Sequence, residues 1–218
     1  MTITFYYLSG SPFSWKVWLA LERKQLAYDL RTLSADAGDL KRPEFTAINP
    51  RGKVPAIIDD NFALYESGAI VEYLEDKYPQ SGKPLWPSEI RSRGLARRLA
   101  GEADSYVYPL VRKLVVELIT PREESPDAAI IEEIKSMLAG EFMLLECSFV
   151  GPFAAGAEPS AADFALYPLA AIIGRIEARQ PGYRVGVVVP EGIRLWMTRI
   201  EALPYFAKTT PPHWLQGG

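Results

Sequence analysis

One cysteine and one histidine in 218 residues leave this chain without most of the side chains that catalysis usually draws on. Cys147 has no partner for an internal disulfide, no second thiol for a CxxC redox pair and no companions for a thiolate zinc site. It follows the apolar run Phe142-Met143-Leu144-Leu145, which predicts a buried structural thiol. His213 alone makes no two-histidine set, so no metal is expected. Its setting, Pro211-Pro212-His213-Trp214, suits a partly exposed aromatic tail residue better than a rigid catalytic base. A basic surplus is missing too. Twenty-four Lys and Arg face 27 Asp and Glu for a net charge of −3, so nucleic acid is not an expected partner. The longest apolar run, Phe164 to Gly174, falls well short of the ~20 residues that cross a bilayer, and no membrane partner is expected. Thr2 to Leu8 lacks the basic start of a targeting signal and reads as a strand. The expected location is the cytoplasm, where reducing conditions suit a lone thiol.

What is present is an ordinary globular composition, 48% hydrophobic and 23% charged, long enough for one or two domains with real cores. Residues 1–78 alternate strand and helix signals. Ile3 to Leu8 is a β-rich run, and Ser11-Pro12 supplies a capping hydroxyl with proline at the first helical position. Val17, Ala20, Leu21 and Lys24 continue one face of that helix. Tyr28 to Leu33 is a second strand, and Asp36 to Gly52 a long irregular or partly helical connection. Pro55 to Ile58 and Phe62 to Tyr65, joined by Asp59-Asp60-Asn61, predict an antiparallel hairpin. A helix follows from Glu66-Ser67-Gly68 and stops before Pro79. This βαβ-ββα order belongs to small α/β domains of the thioredoxin type.

Residues 79–88 are turn-rich and predict a linker, and 89–218 turn to a helical period. Leu95, Leu99, Tyr106, Leu110 and Leu114 line a long helix with a bend expected at Pro109. Ile130, Ile134, Leu138 and Leu145 line another, opened by Ser125-Pro126-Asp127. Ser160-Ala161-Ala162-Asp163 places a capping hydroxyl three residues before an acid that can reach back, starting a helix that tolerates an early Pro168. Ile193, Trp196, Met197 and Ile200 form a last amphipathic face. The fold class expected is α/β plus all-α, a thioredoxin-like domain followed by a helical bundle.

Three stretches are able to carry chemistry. Ser11-Pro12-Phe13-Ser14 occupies the strand-to-helix turn where a redox thioredoxin would carry CxxC, but with hydroxyls instead of thiols. A hydroxyl at a helix N-terminus can stabilise an anion such as a thiolate, or it can simply cap the helix. Pro55 after Lys53-Val54 precedes a strand edge, where a cis bond would turn the Val54 backbone toward an extended peptide; an ordinary edge proline is the other reading. Glu66-Ser67-Gly68 pairs a carboxylate with a hydroxyl at a helix start, suiting the α-amino acid end of a ligand or a plain cap. Arg91, Arg93, Arg97 and Arg98 read as a solvated or dimer-contact helix face.

Together, Ser11-x-x-Ser14-Trp15-Lys16-Val17, Asn49-Pro50-Arg51-Gly52-Lys53-Val54-Pro55, Tyr65 to Leu74 and Pro159-Ser160-Ala161-Ala162-Asp163 closely resemble cytosolic glutathione transferases of the serine type, theta/zeta-like or bacterial. The resemblance spans essentially the whole chain. It implies a homodimeric detoxification enzyme with glutathione as co-substrate and no metal, its first domain holding glutathione and its second supplying a pocket for a small hydrophobic electrophile. By position, Ser11 would activate the glutathione thiol as thiolate, with Tyr7 the alternative and Ser9 and Ser14 lesser ones. Val54, beside Pro55, would pair with the cysteinyl backbone, and Glu66 and Ser67 would hold the γ-glutamyl end. Lys53 would approach the glycyl end, with Lys41 and Phe13 as further contacts; Leu40 stands where theta-type enzymes often carry a polar residue. Asp104, or Glu102, would reach from the other subunit toward glutathione's amino group. Tyr106, Tyr108 and Arg112, with Phe13 and Trp15, would line the electrophile pocket. Pro12 and Phe13 depart from the zeta cluster, which carries a second serine and a cysteine there. The same resemblance also admits isomerase, dehalogenase or peroxidase chemistry on one activated thiolate, and a non-enzymatic binding or assembly module of the same fold.

Overall fold

The computed structural model describes residues 2–121, 123 and 125–215. It divides into two compact units. The first is residues up to Trp86 together with the chain from Leu203 onward; the second is Pro87–Ala202.

In the first unit, β1 (Ile3–Tyr7) alternates its burial as a sheet strand should, with Ile3, Phe5 and Tyr7 inward. Helix α1 (Pro12–Arg23) starts at the Ser11 cap with proline at its first position and is buried over most of its length. The order continues with β2 (Tyr28–Thr32), a short turn at Asp39–Lys41, α2 (Pro43–Thr46), β3 (Ala56–Asp59), β4 (Phe62–Tyr65) and α3 (Ser67–Lys77). The strands form one sheet in the order β2-β1-β3-β4, with β1 and β2 parallel and the β1–β3 and β3–β4 pairs antiparallel. The expected βαβ-ββα order and the hairpin are therefore present. Helices α1 and α3 pack together, and on the other side of the β1 pleat Tyr6 meets Phe45 of α2, ring centroids 5.8 Å apart.

The turn-rich stretch after α3 is tied down. Lys83 N–H donates to the Arg23 carbonyl, the Arg23 guanidinium to the Pro84 carbonyl, and Leu85 N–H to Glu75, which also pairs with the fully buried Lys24. Gly82, at φ +54°, lies so close to the Lys24 backbone that a Cβ would stand 2.4 Å from it.

The second unit is helical: α4 (Ile90–Glu102), α5 (Tyr108–Leu118), α6 (Ala128–Ser148), α7 (Ala161–Arg179) and α8 (Glu191–Glu201). Asp127 caps α6 by accepting from Ala129 and Ile130 N–H, as its sequence predicts. Asp163, fully buried in the first turn of α7, accepts from Ser160 N–H and O–H, Ala154 N–H and the Trp196 indole of α8. Burial pushes its carboxyl above the usual carboxylate value, against four donors that favour the anion.

Several expectations need correction. The irregularity between α4 and α5 is a wide π turn, Ala103–Val107, one residue before α5 begins, so the break precedes Pro109. A proline has no N–H to give the carbonyl four residues back, and the wider turn accommodates that loss upstream. Tyr106 does not line the helix interior; it is exposed, while Ala103, Val107, Leu110 and Leu114 point inward. Ile130 is exposed as well, the buried row on α6 being Ile131, Ile134, Leu138, Phe142 and Leu145. That same phase puts Cys147 outside: the thiol is exposed, because its apolar neighbours in sequence say nothing about which face it shares. Finally, the chain after Leu203, with α9 (Phe206–Thr209) and α10 (Pro212–Leu215), groups with the first unit and not with residues 89–202.

Candidate active site

Strand register decides where the three motifs of the first unit lie. Tyr6 of β1 stands opposite Ala56 of β3, and Ala56 opposite Tyr65 of β4. The end of β1, the start of β3 and the end of β4 are thus one end of the sheet. Residues 8–11, 53–55 and 66–67 all emerge there. The parallel β2 also ends there, so the segment that carries Lys41 leaves from the same side.

At this end the β1–α1 turn is closed by Ser11 N–H donating to the Leu8 carbonyl, 3.0 Å, with Gly10 at φ +85°. Ser11 is extended at φ −71°, ψ 120°, and its Oγ accepts the Ser14 N–H at 3.3 Å. The helix uses that oxygen as an acceptor, and among the described residues the hydroxyl proton has no acceptor, beside the positive end of a 12-residue helix. Ser14, the other half of the pair, is buried, and its hydroxyl has no hydrogen-bond partner among the described residues. Phe13 is half-buried, with the Lys16 ammonium 5.5 Å from its ring centre. Tyr7 is 4% exposed, its ring 5.0 Å from Trp18 and 5.9 Å from Phe5.

The second segment is shaped by a residue to which sequence reasoning assigned no role. Asn49, buried, donates to the Lys53 carbonyl at 2.6 Å and accepts Arg51 N–H at 3.0 Å. Gly52 has φ +57°, and a Cβ there would lie 2.9 Å from the Leu40 carbonyl. This locks the loop behind Lys53 and against the Leu40–Lys41 turn. An Asn four residues before a lysine carbonyl, with glycine between, was the available signal. Lys53 is exposed, Val54 is half-buried just outside β3, and the Val54–Pro55 bond is cis.

The third segment holds the sharpest backbone feature. Glu66 sits at φ +72°, ψ 112°, outside the regions open to a non-glycine residue, immediately before α3. Its carboxylate is exposed and 4.0 Å from the Arg51 guanidinium, a second neighbour not expected from sequence. Ser67, 6% exposed, opens α3, and among the described residues the Glu66 side chain at its N-cap makes no capping hydrogen bond to the first N–H groups of that helix. A carboxylate, a hydroxyl and uncapped N–H donors in one spot match an α-amino acid group.

All three segments lie within a known pattern. Residues 5–82 match the family model described as glutathione S-transferase, N-terminal domain. Glutathione S-transferase 3 of Zea mays is 30% identical over 208 residues, covering 94% of this chain and 91% of its own. The chain belongs to the glutathione S-transferase family. It is accordingly an enzyme of the transferase class. Its fold is also that of a solved glutathione S-transferase from the Antarctic clam Laternula elliptica, TM-score 0.83 at 30% identity over 99% of this chain and 95% of the other. A glutathione transferase family member from Pseudomonas fluorescens, solved with two glutathione bound, superposes with TM-score 0.84 at 26% identity, covering 96% and 92%.

The remaining candidate residues of this transferase lie in the second unit. Asp104 and Tyr106 are in the π turn, half-buried and exposed respectively; Tyr108 is half-buried and Arg112 exposed on α5. Glu102 ends α4 and pairs with Arg98. The three candidates Tyr106, Tyr108 and Arg112 span little more than one and a half turns, but Tyr106 and Arg112 are the accessible ones.

Proposed function

We propose that this transferase binds glutathione at the sheet end formed by residues 8–11, 53–55 and 66–67, and that the Ser11 hydroxyl activates its thiol for attack on a small hydrophobic electrophile. The observation that carries the reading is the convergence of those three segments on one sheet end, each offering groups suited to a different part of the tripeptide. The γ-glutamyl carboxylate meets Ser67 and the uncapped N–H groups of α3, and its ammonium meets Glu66 and, across a homodimer, Asp104 of the partner subunit. The cysteinyl backbone pairs with Val54 ahead of Pro55. The glycyl carboxylate meets Lys53 and Lys41, and Phe13 flanks the sulfur. Tyr106, Tyr108 and Arg112 take the electrophile.

In this reading the thiol proton leaves to solvent, and the thiolate is held by the Ser11 O–H and the α1 dipole. A sulfur lone pair then forms the S–C bond; in a substitution the leaving group departs with the electrons of its own bond, and in an addition the electrons move onto the electrophile. The tight packing of the Tyr7 ring favours Ser11 as donor. The role is cytoplasmic detoxification.

The test is the ultraviolet absorbance of the bound thiolate as pH is varied, with Ser11→Ala beside the parent. Loss of one hydrogen bond to a charged group, about 1.5–3 kcal/mol, raises the bound thiol pKa by about one to two units. Ser11→Thr keeps the parent value. A parent protein that binds no glutathione sinks the whole reading, and an unchanged titration in Ser11→Ala transfers the donor role to Tyr7 or another hydroxyl.

A further inference from the structure

The chain's one imidazole lies against the turn that carries Ser11. His213 Nδ1 and Ser9 Oγ are 2.7 Å apart. The ring also covers Gly10: a Cβ on that glycine would stand 3.0 Å from His213 Cε1 and 3.3 Å from Nε2. The tail reaches this position because it is fastened to α1 itself. The Trp15 indole donates to Thr209 Oγ1 at 3.0 Å, and Trp15 meets Trp214 edge-on at 5.2 Å and Phe206 at 6.0 Å. Trp15 is four residues beyond Ser11 and 3% exposed, so the tail and the hydroxyl are referenced to the same helix turn.

We propose that His213 is a positioning residue for thiol activation: through Ser9 and Gly10 it holds the turn that sets where the Ser11 hydroxyl points. The inference rests on the reading of Ser11 given above. A glycine at positive φ leaves the turn free to sample other conformations unless something occupies its open face. The imidazole does so, and its hydrogen bond to Ser9 fixes the residue on the other side of that glycine. A donor hydroxyl displaced by a fraction of an ångström from the sulfur loses much of its hold on the thiolate while the rest of the tripeptide still binds.

Five proteins test this: the parent, His213→Ala, Ser9→Ala, the double variant carrying both of those changes, and His213→Gln, each measured for the thiolate titration, glutathione affinity, kcat and KM. The expected result is a raised thiol pKa and a several-fold lower kcat at neutral pH in His213→Ala, with glutathione affinity and KM little changed. Ser9→Ala gives the same pattern, the double variant adds nothing further, and His213→Gln, which keeps a hydrogen-bonding group, restores part of the loss. Because the histidine is unique, its ring resonances are directly assignable. They shift on Ser9→Ala and again when glutathione saturates the protein. A parent that binds glutathione with a lowered thiol pKa, alongside His213→Ala and Ser9→Ala variants that titrate identically to it, overturns this proposal alone. A parent with no bound thiolate overturns the Ser11 reading instead, and the two failures are told apart by that measurement on the parent.

Discussion

At the scale of single residues, Glu66 and Asp59 sit at opposite ends of the same sheet and illustrate opposite uses of a carboxylate. Glu66 is exposed and conformationally costly: its φ of +72° with ψ 112° is a conformation worth about 1–3 kcal/mol of strain for a residue with a Cβ. Glu66→Gly should therefore melt at an equal or higher temperature than the parent while binding glutathione more weakly, as thermal melts and binding calorimetry would show; a variant that melts lower contradicts the strain. Asp59 is buried and structural. Its Oδ2 accepts Tyr78 at 2.7 Å, Lys77 at 2.8 Å and Tyr73 at 2.9 Å. Burial pushes the carboxyl up, but the hydrogen bonds from Lys77, Tyr78 and Tyr73 and the Lys77 charge outweigh it and hold it below the usual value. The same cluster pushes Tyr78 up to about 12, burial first and the Asp59 contact second. A lowered folded-state carboxyl stabilises above its unfolded pKa of ~3.9 and loses that contribution as pH falls through the folded value. The melting-temperature gap between the parent and Asp59→Asn should thus be full at neutral pH and shrink below about pH 4. At this scale the sequence was partly legible. Ser11, Val54, Glu66 and Ser67 could be singled out because their residue types announce a cap, an edge and a helix start. Asn49 and Arg51 could not be given roles, since these depend on the loop closing on itself and on strand β4 returning beside it.

Helices were legible where their signals act within one turn. Ser11-Pro12, Asp127 and Ser160-x-x-Asp163 all start helices as expected, because a capping side chain and the N–H it serves are three residues apart or fewer. What the capping pattern concealed is how much Asp163 holds. It joins the start of α7 to the preceding loop through Ala154 and to α8 through Trp196, three pieces of chain on one buried carboxylate. Asp163→Ala strands four donors, and the loss should be about 3 kcal/mol or more, with the second unit melting several degrees earlier. Chemical denaturation followed by circular dichroism measures it, and a change under 1 kcal/mol would refute the role. Phase was harder to read than existence. Ile130 for Ile131, Tyr106 for Val107 and a buried Cys147 are errors of rotation by one or two residues, made where an apolar run is wider than the face it buries.

For the molecule as a whole, the division into units shows what the tail does. Residues 203–215 belong with the first unit, and α9 and α10 supply Phe206, Thr209 and Trp214 to Trp15. Ending the chain after Leu203 should raise amide exchange in β1 and α1 while α7 keeps its protection, which hydrogen-exchange mass spectrometry resolves segment by segment. Equal loss in both units would contradict the grouping. By itself the sequence determined the strands, the longer helices, their order, the caps at Ser11, Asp127 and Ser160, and the family, because each rests on residues close together in the chain. It also determined that any reactive sulfur must come with a ligand if Cys147 is set aside. Tertiary structure alone decided that residues 8–11, 53–55 and 66–67 share one end of a sheet, that Glu66 is strained beside Arg51, and that His213 returns to Ser9 from 204 residues away. Those contacts depend on strand register and chain return, whose energetics are shared across many residues and written in no local motif.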